Sequence, residues 1–354
     1  MGMTNSQTYI GYIGTYTKGE SKGIYSFKLA TESKQIQEVK PAAELENPTY
    51  VTISKDNQNL YSVAKEGSLG GVAAYKINAT TGELIEQNKQ LSEGSSPCHI
   101  DVNSSNDAVV TAHYHRGTVE SYRLTSDNQL TPPTSIIQHT GFGLDKERQE
   151  KPHVHYAGFS PDEKYIAVVD LGIDKVITYE VSEGKLSEVS SLLVKPGSGP
   201  RHLTFHPNGK YAYIMTELSS EVIVTKYDST NGSFTEIQTI PTIPSDFTEN
   251  NQGSAIHISK DGKFVYAANR GHDSIASFQV DEATGKLTLI EYTSTEGAWP
   301  RDFVLDPSED FLVASNQESS TLVLFSRDSV TGKLELLQKD VQVPDPVCVK
   351  FLHD

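Results

Sequence analysis

His99, His113, His115, His153, His155, His202, His257 and His272 make up eight of the eleven histidines in the chain, and all sit in short polar windows at the ends of apolar runs. The same windows hold Arg116, Arg201, Arg270, Arg301, Asp170, Glu217 and Gln317. Turns are built mainly from Gly, Pro, Asn, Asp and Ser, so turn formation does not explain this enrichment in histidine. Imidazoles, carboxylates and fixed guanidiniums are instead the parts needed to move a proton and steady a developing negative charge. Arg201 follows Gly199-Pro200, which fixes a cation where a strand begins. Glu217 closes the apolar run Tyr211-Ala212-Tyr213-Ile214-Met215-Thr216, where a carboxylate is either paired with an arginine or shifted for acid–base work. Arg270 closes the equivalent run of the next repeat, which predicts a Glu217–Arg270 pair. Alternation along His153-Val154-His155 predicts two rings on one side of a strand. With Asp170 nearby that pair is a candidate metal site, but an acid–base pair or substrate clamp is the simpler reading, and no metal is assigned. His139 and His206 read as surface residues, and Trp299 as packing between repeats. No P-loop, dinucleotide glycine fingerprint, Gly-x-Ser-x-Gly elbow or Cys-x-x-Cys occurs in the sequence.

These windows recur because the chain repeats. An apolar strand ending in a turn appears at Ile53-Ser54-Lys55-Asp56, Val102-Asn103, Phe159-Ser160-Pro161-Asp162, Phe205-His206-Pro207-Asn208, Ile258-Ser259-Lys260-Asp261 and Leu305-Asp306-Pro307, at spacings of 49, 57, 46, 53 and 47 residues. Phe351 ends a matching strand 46 residues further on. A second landmark, Thr-Gly-Glu/Lys-Leu at 81–84, 284–287 and 331–334, has looser copies at 128–130, 183–186 and 231–234 and a weak one at 33–36. Runs with a period of two lie between the landmarks and no helical stripe appears, so each unit holds four strands. The pattern predicts an all-β, seven-bladed propeller in one domain over 1–354. Six blades are whole, at about 47–94, 95–140, 151–196, 197–240, 253–296 and 297–341. The seventh joins 342–354 to 7–46, with Val347 to Phe351 beside the strand containing Ile10 to Gly14. In such a meander the start of each innermost strand, the end of the next, and the connections between blades share one face of the disc. All the polar windows above fall on that face, at the mouth of the central channel.

Lys plus Arg is 30 and Asp plus Glu 46, a net charge of −16. That balance excludes the basic footprint that nucleic acids and anionic membranes require. No apolar run approaches the roughly 20 residues of a membrane span. Met1 to Gln7 has neither the basic nor the apolar region of a secretory leader. Cys98 and Cys348, two blades apart, are expected to be free thiols, and a soluble cytoplasmic protein is expected. A monomer or weak homo-oligomer is expected.

Tyr12-Ile13-Gly14-Thr15-Tyr16-Thr17, followed by Lys22-Gly23-Ile24-Tyr25, resembles the N-terminal signature of the lactonase seven-bladed propellers. Pro152-His153-Val154-His155 with Asp170-Leu171-Gly172, Gly199-Pro200-Arg201-His202, Glu217-Leu218, and Asn269-Arg270-Gly271-His272-Asp273-Ser274-Ile275 extend the resemblance over nearly the whole chain. The family includes propeller-type 6-phosphogluconolactonases and a fungal carboxy-muconate cyclase. The resemblance implies a catalytic set of His155, Arg201, Glu217 and Arg270. His153, Asp170, His202, His257, His272, Arg301 and Gln317 are the candidate substrate contacts. It further implies a small lactone as partner, without cofactor, and hydrolysis of 6-phosphogluconolactone in the pentose phosphate branch of carbohydrate metabolism. A phosphate on that substrate calls for further cations, with Arg301, Arg116, Lys146 and Arg148 as candidates. A lactone-closing cycloisomerase and a non-catalytic binding propeller remain the alternatives.

Overall fold

The computed structural model describes residues 7–354; Met1–Ser6, most of the segment read above for a leader, lies outside the described residues. The strands pair into seven four-stranded antiparallel sheets arranged as a propeller. Strands next to innermost are buried on both faces between neighbouring blades, which is why they read as continuous apolar runs. Tyr211–Thr216 and Phe311–Asn316 are buried at every position. Outermost strands such as Lys185–Leu193 meet solvent and are mostly polar.

The closing blade is shared by the two ends of the chain as the repeat predicts. Gly11, Tyr12, Ile13 and Gly14 pair with Phe351, Lys350, Val349 and Cys348. The Thr-Gly landmark also has a physical role. Gly82 and Gly285 have φ of +80° and +73°, values that L-residues seldom adopt. Their carbonyls accept hydrogen bonds from buried tyrosines of the preceding blade, Tyr12 Oη at 2.7 Å and Tyr213 Oη at 2.8 Å. Tyr266 does the same to Gly332 at 2.7 Å. The repeated turn is therefore the acceptor of a blade-to-blade latch.

In the second blade the outermost strand is only Ser135–Gln138, because Pro132 and Pro133 lack the N–H groups a longer ladder needs. His206 is buried rather than on the surface: its Nε2 meets the Gly262 carbonyl at 3.1 Å, joining its turn to the next blade. Cys98 and Cys348 are both free. No helix among the described residues is long and apolar enough to cross a membrane.

Candidate active site

Three of the candidate residues owe their direction to the same backbone irregularity. In the third blade Val154 pairs with Asp170 and Tyr156 with Val169, which leaves His155 as the extra residue of a bulge. Arg201 is the extra residue between Pro200, opposite Thr216, and His202, opposite Met215. Arg301 lies likewise between Pro300, opposite Asn316, and Asp302, opposite Ser315. A bulge releases one residue from the ladder and re-aims its side chain. Here it separates His153 from His155, against the simple alternation expected for them. His155 lines the cleft at the channel mouth. His153 stacks on Tyr114 with ring centroids 4.2 Å apart and is held by the Tyr114 carbonyl at 2.8 Å and Glu150 at 2.9 Å.

The cleft has a volume of about 400 Å³, and Glu217 is its central charge. The backbone N–H of Glu217 donates to the Gly199 carbonyl at 2.7 Å, which places the side chain just beyond its strand. Arg270 Nη2 donates to Oε1 at 2.5 Å, as the repeat geometry predicts, and Arg148 Nη2 donates to Oε2. Arg201 Nε lies 3.2 Å from Oε1, close enough for an ion pair but poorly aligned for a hydrogen bond. Nε and Nη1 of Arg201 are left without an acceptor among the described residues. Burial works to raise the Glu217 pKa, but the charges of Arg270, Arg201 and Arg148 outweigh it and hold the carboxyl well below its usual range. Burial, then the neighbouring Arg270, pushes Arg201 down to about 9, so it stays charged at neutral pH. Burial and Arg201 keep His155 far below the ordinary histidine value, as a neutral ring. Arg270 also lies over the Trp299 ring, 5.5 Å from its centroid, so Trp299 backs a site cation rather than serving only as packing.

Arg301 completes the wall. Its Nη1 donates to Tyr16 Oη at 2.9 Å, and this neighbour lowers the phenol pKa. Tyr16 and Tyr114 were not singled out for chemistry by the sequence; Tyr16 appears there only inside a strand motif. Arg148 was read from the sequence as one of four candidate phosphate cations, but not as a partner of Glu217. Lys65 at the rim is matched by Glu46 at 2.7 Å. Apart from that pair, the cleft is lined by Arg148, Arg270 and Arg301 and the single carboxylate of Glu217, with Arg201 buried against that carboxylate.

The other candidates lie elsewhere. His202 sits in the channel beneath, 5.3 Å from the His155 ring and 5.4 Å from His99, and burial keeps it neutral. His257 is further along its strand, against Phe303 at 4.8 Å and 3.9 Å from Asp302, because it is the sixth residue of Gln252–Ile258 rather than the first. His272 turns outward onto Ser274 at 2.6 Å and packs against Phe247 and Tyr292. Gln317 is buried and does not line the cleft. Asp170 is fully buried and occupied: Oδ1 accepts from the His153 and Gly172 backbone at 2.8 and 2.9 Å, and Oδ2 meets His139 at 2.7 Å. His139, expected on the surface, is thereby buried, with its other nitrogen 2.7 Å from Tyr179 Oη. Arg116 is taken up by Ser92 and the Gly70 carbonyl and does not reach the cleft. A larger hollow of about 830 Å³ between Pro161 and Thr235 on the opposite face has lysines and aspartates on its walls but no converging buried charges.

A family model for lactonases with a seven-bladed β-propeller matches residues 10–351. The chain is 58% identical to the 6-phosphogluconolactonase of Bacillus subtilis over 98% of its own length and 99% of that protein's. The crystal structure of a Lactobacillus plantarum protein superposes with a TM-score of 0.94 at 44% identity, covering 98% of this chain and all of that one. A periplasmic gluconolactonase of Pseudomonas aeruginosa superposes with a TM-score of 0.91 at 29% identity, covering 98% and 99%. Fold, sequence and extent agree, and the chain belongs to the lactonase family of seven-bladed β-propellers.

Proposed function

We propose that this protein opens a phosphorylated sugar lactone, 6-phosphogluconolactone, by attack of water in the cleft at the channel mouth. The observation that carries the reading is local charge. Three guanidiniums meet one carboxylate and a fourth, Arg301, lines the same cleft, in a protein whose net charge is −16. So much positive charge at one point has no structural need, and it is matched by an anionic substrate held close. The name of the Bacillus relative supports the same substrate. Exposed large apolar residues such as Ile85, Val330 and Phe142 are scattered over the surface, which does not favour a purely protein-binding face.

In this reading the ring carbonyl lies against Arg270, with the unused donors of Arg201 behind it. Both are in place before the oxyanion forms and need no reorganisation. Two groups can take the water's proton: His155, neutral in the wall, and Glu217 once one of its guanidinium partners is drawn off. The tetrahedral adduct then collapses, the ring C–O bond breaks, and the proton returns to the leaving alkoxide. The product is the open hydroxy acid. Two free thiols suit a reducing compartment, and we place the reaction in the cytoplasm.

The test is acid release at constant pH from 6-phosphogluconolactone and from unphosphorylated gluconolactone, with spontaneous opening subtracted. Turnover of the phosphorylated lactone should dominate. Arg201→Ala should lower it about 100-fold in a protein that still melts cooperatively. Unchanged turnover in that variant would remove lactone chemistry from this cleft.

A further inference from the structure

Glu217 as it stands has no free oxygen to offer. Oε1 is shared by Arg270 and Arg201, and Oε2 is taken by Arg148. The three partners are not equivalent. Arg201 and Arg270 are buried, on strands of the propeller, whereas the Arg148 side chain is about one-third exposed on the connection between the second and third blades.

The backbone beneath Arg148 is fixed. Asp145 Oδ1 accepts from the N–H groups of Glu147 and Arg148 at 3.0 Å each. The next residue, Gln149, is fully buried and donates to the Leu171 carbonyl at 2.9 Å and to Asp174 at 2.8 Å. Only the long side chain is therefore at liberty to leave. Its exit needs rotation about side-chain bonds and no movement of the loop. An approaching anion competes for Arg148 directly, because a guanidinium binds phosphate or carboxylate through the same planar fork.

We propose that Arg148 is a substrate-operated cap on Glu217: an anionic substituent on the lactone draws the Arg148 guanidinium off Oε2, and the uncovered carboxylate then serves as general base. The inference rests on the lactone-hydrolase reading above. The released oxygen accepts a proton from water as the water oxygen bonds to the lactone carbonyl carbon. The carboxyl group then returns that proton to the ring oxygen as the C–O bond breaks, so Glu217 ends ionised and ready to be capped again. Specificity follows without a separate sieve. A neutral lactone that enters the cleft leaves the cap in place and meets a carboxylate whose two oxygens are both held by guanidiniums.

The experiment compares kcat/KM of wild type and Arg148→Ala on 6-phosphogluconolactone and on gluconolactone. With the cap gone, the phosphorylated lactone should lose about 100-fold, having lost its bidentate partner. The neutral lactone should gain several-fold, because its base is no longer covered. The acid limb of the pH profile should move upward in the variant, since one of the cations that holds Glu217 ionised is absent. An equal loss on both substrates, or a loss confined to the neutral lactone, would show that Arg148 only shapes the cleft and would overturn the proposal. Wild type that opens neither lactone would refute the hydrolase reading itself and this inference with it.

Discussion

Glu217 and Asp170 are both buried carboxylates at the channel-side ends of strands in adjacent blades, yet they are held in opposite ways. Asp170 is satisfied by two backbone N–H groups and the ring of His139. Glu217 is satisfied by three guanidiniums on three separate elements. Backbone donors cannot be displaced without unfolding the loop that carries them. Guanidiniums on long side chains can be, and they bring more positive charge than one carboxylate consumes. His139, Asp170 and Tyr179 form a chain that looks like a proton relay, but nothing in it faces the cleft. Residue type and burial are alike in the two places. The nature of the donors separates a scaffold carboxylate from a working one.

The sharpest way to break this contrast is to neutralise each carboxylate with its amide. Glu217→Gln should reduce turnover of the phosphorylated lactone by about 100- to 10,000-fold, the range expected for loss of a general base. It should also lower the melting temperature, because three guanidiniums then face one another without their shared anion. Turnover within a few-fold of wild type would return the role of base to His155. Asp170→Asn should do the reverse. Losing one accepting oxygen in a buried network costs about 1–3 kcal/mol of stability in chemical denaturation, while kcat per folded molecule stays within a few-fold. A large fall in kcat at unchanged stability would move Asp170 into the site.

The smallest effect is that of pH. Glu217 is held below its ordinary value, so the stability from its ion pairs is complete above about pH 4.3 and is lost as the pH falls below that. His155 is depressed by burial and is already neutral across the physiological range. After correction for spontaneous opening, turnover should change less than about twofold between pH 6 and 8. An inflection near pH 6.5 that persists with unphosphorylated gluconolactone, which has no phosphate to titrate near pH 6, would mean that an ordinary histidine titrates in the mechanism.

The ring of blades was legible because a period near 50 residues survives in the turns, and because the turn glycines are required by the latch they accept. The convergence of His155, Arg201, Glu217 and Arg270 was legible because equivalent positions in a repeat share a face. The bulges were not legible. A single extra residue in a strand leaves no mark in hydrophobic alternation, so His153 appeared to be the partner of His155, and His257 appeared at the mouth. Arg148 and His139 lie in the connection at 139–151, where no period constrains position. One was read as a candidate phosphate cation and the other as a surface ring.

The blade shared by the two ends of the chain also sets the order of events during synthesis. Thr8–Thr15 leaves the ribosome among the first strands, and its pairing partner Pro346–Phe351 is among the last. At about 5–20 residues per second, the early strand waits on the order of tens of seconds with one backbone edge unpaired. Completion of the sheet thus waits for Pro346–Phe351. A nascent chain that stalls before Phe351 keeps that blade open, and an unpaired edge is a template on which another chain can pair.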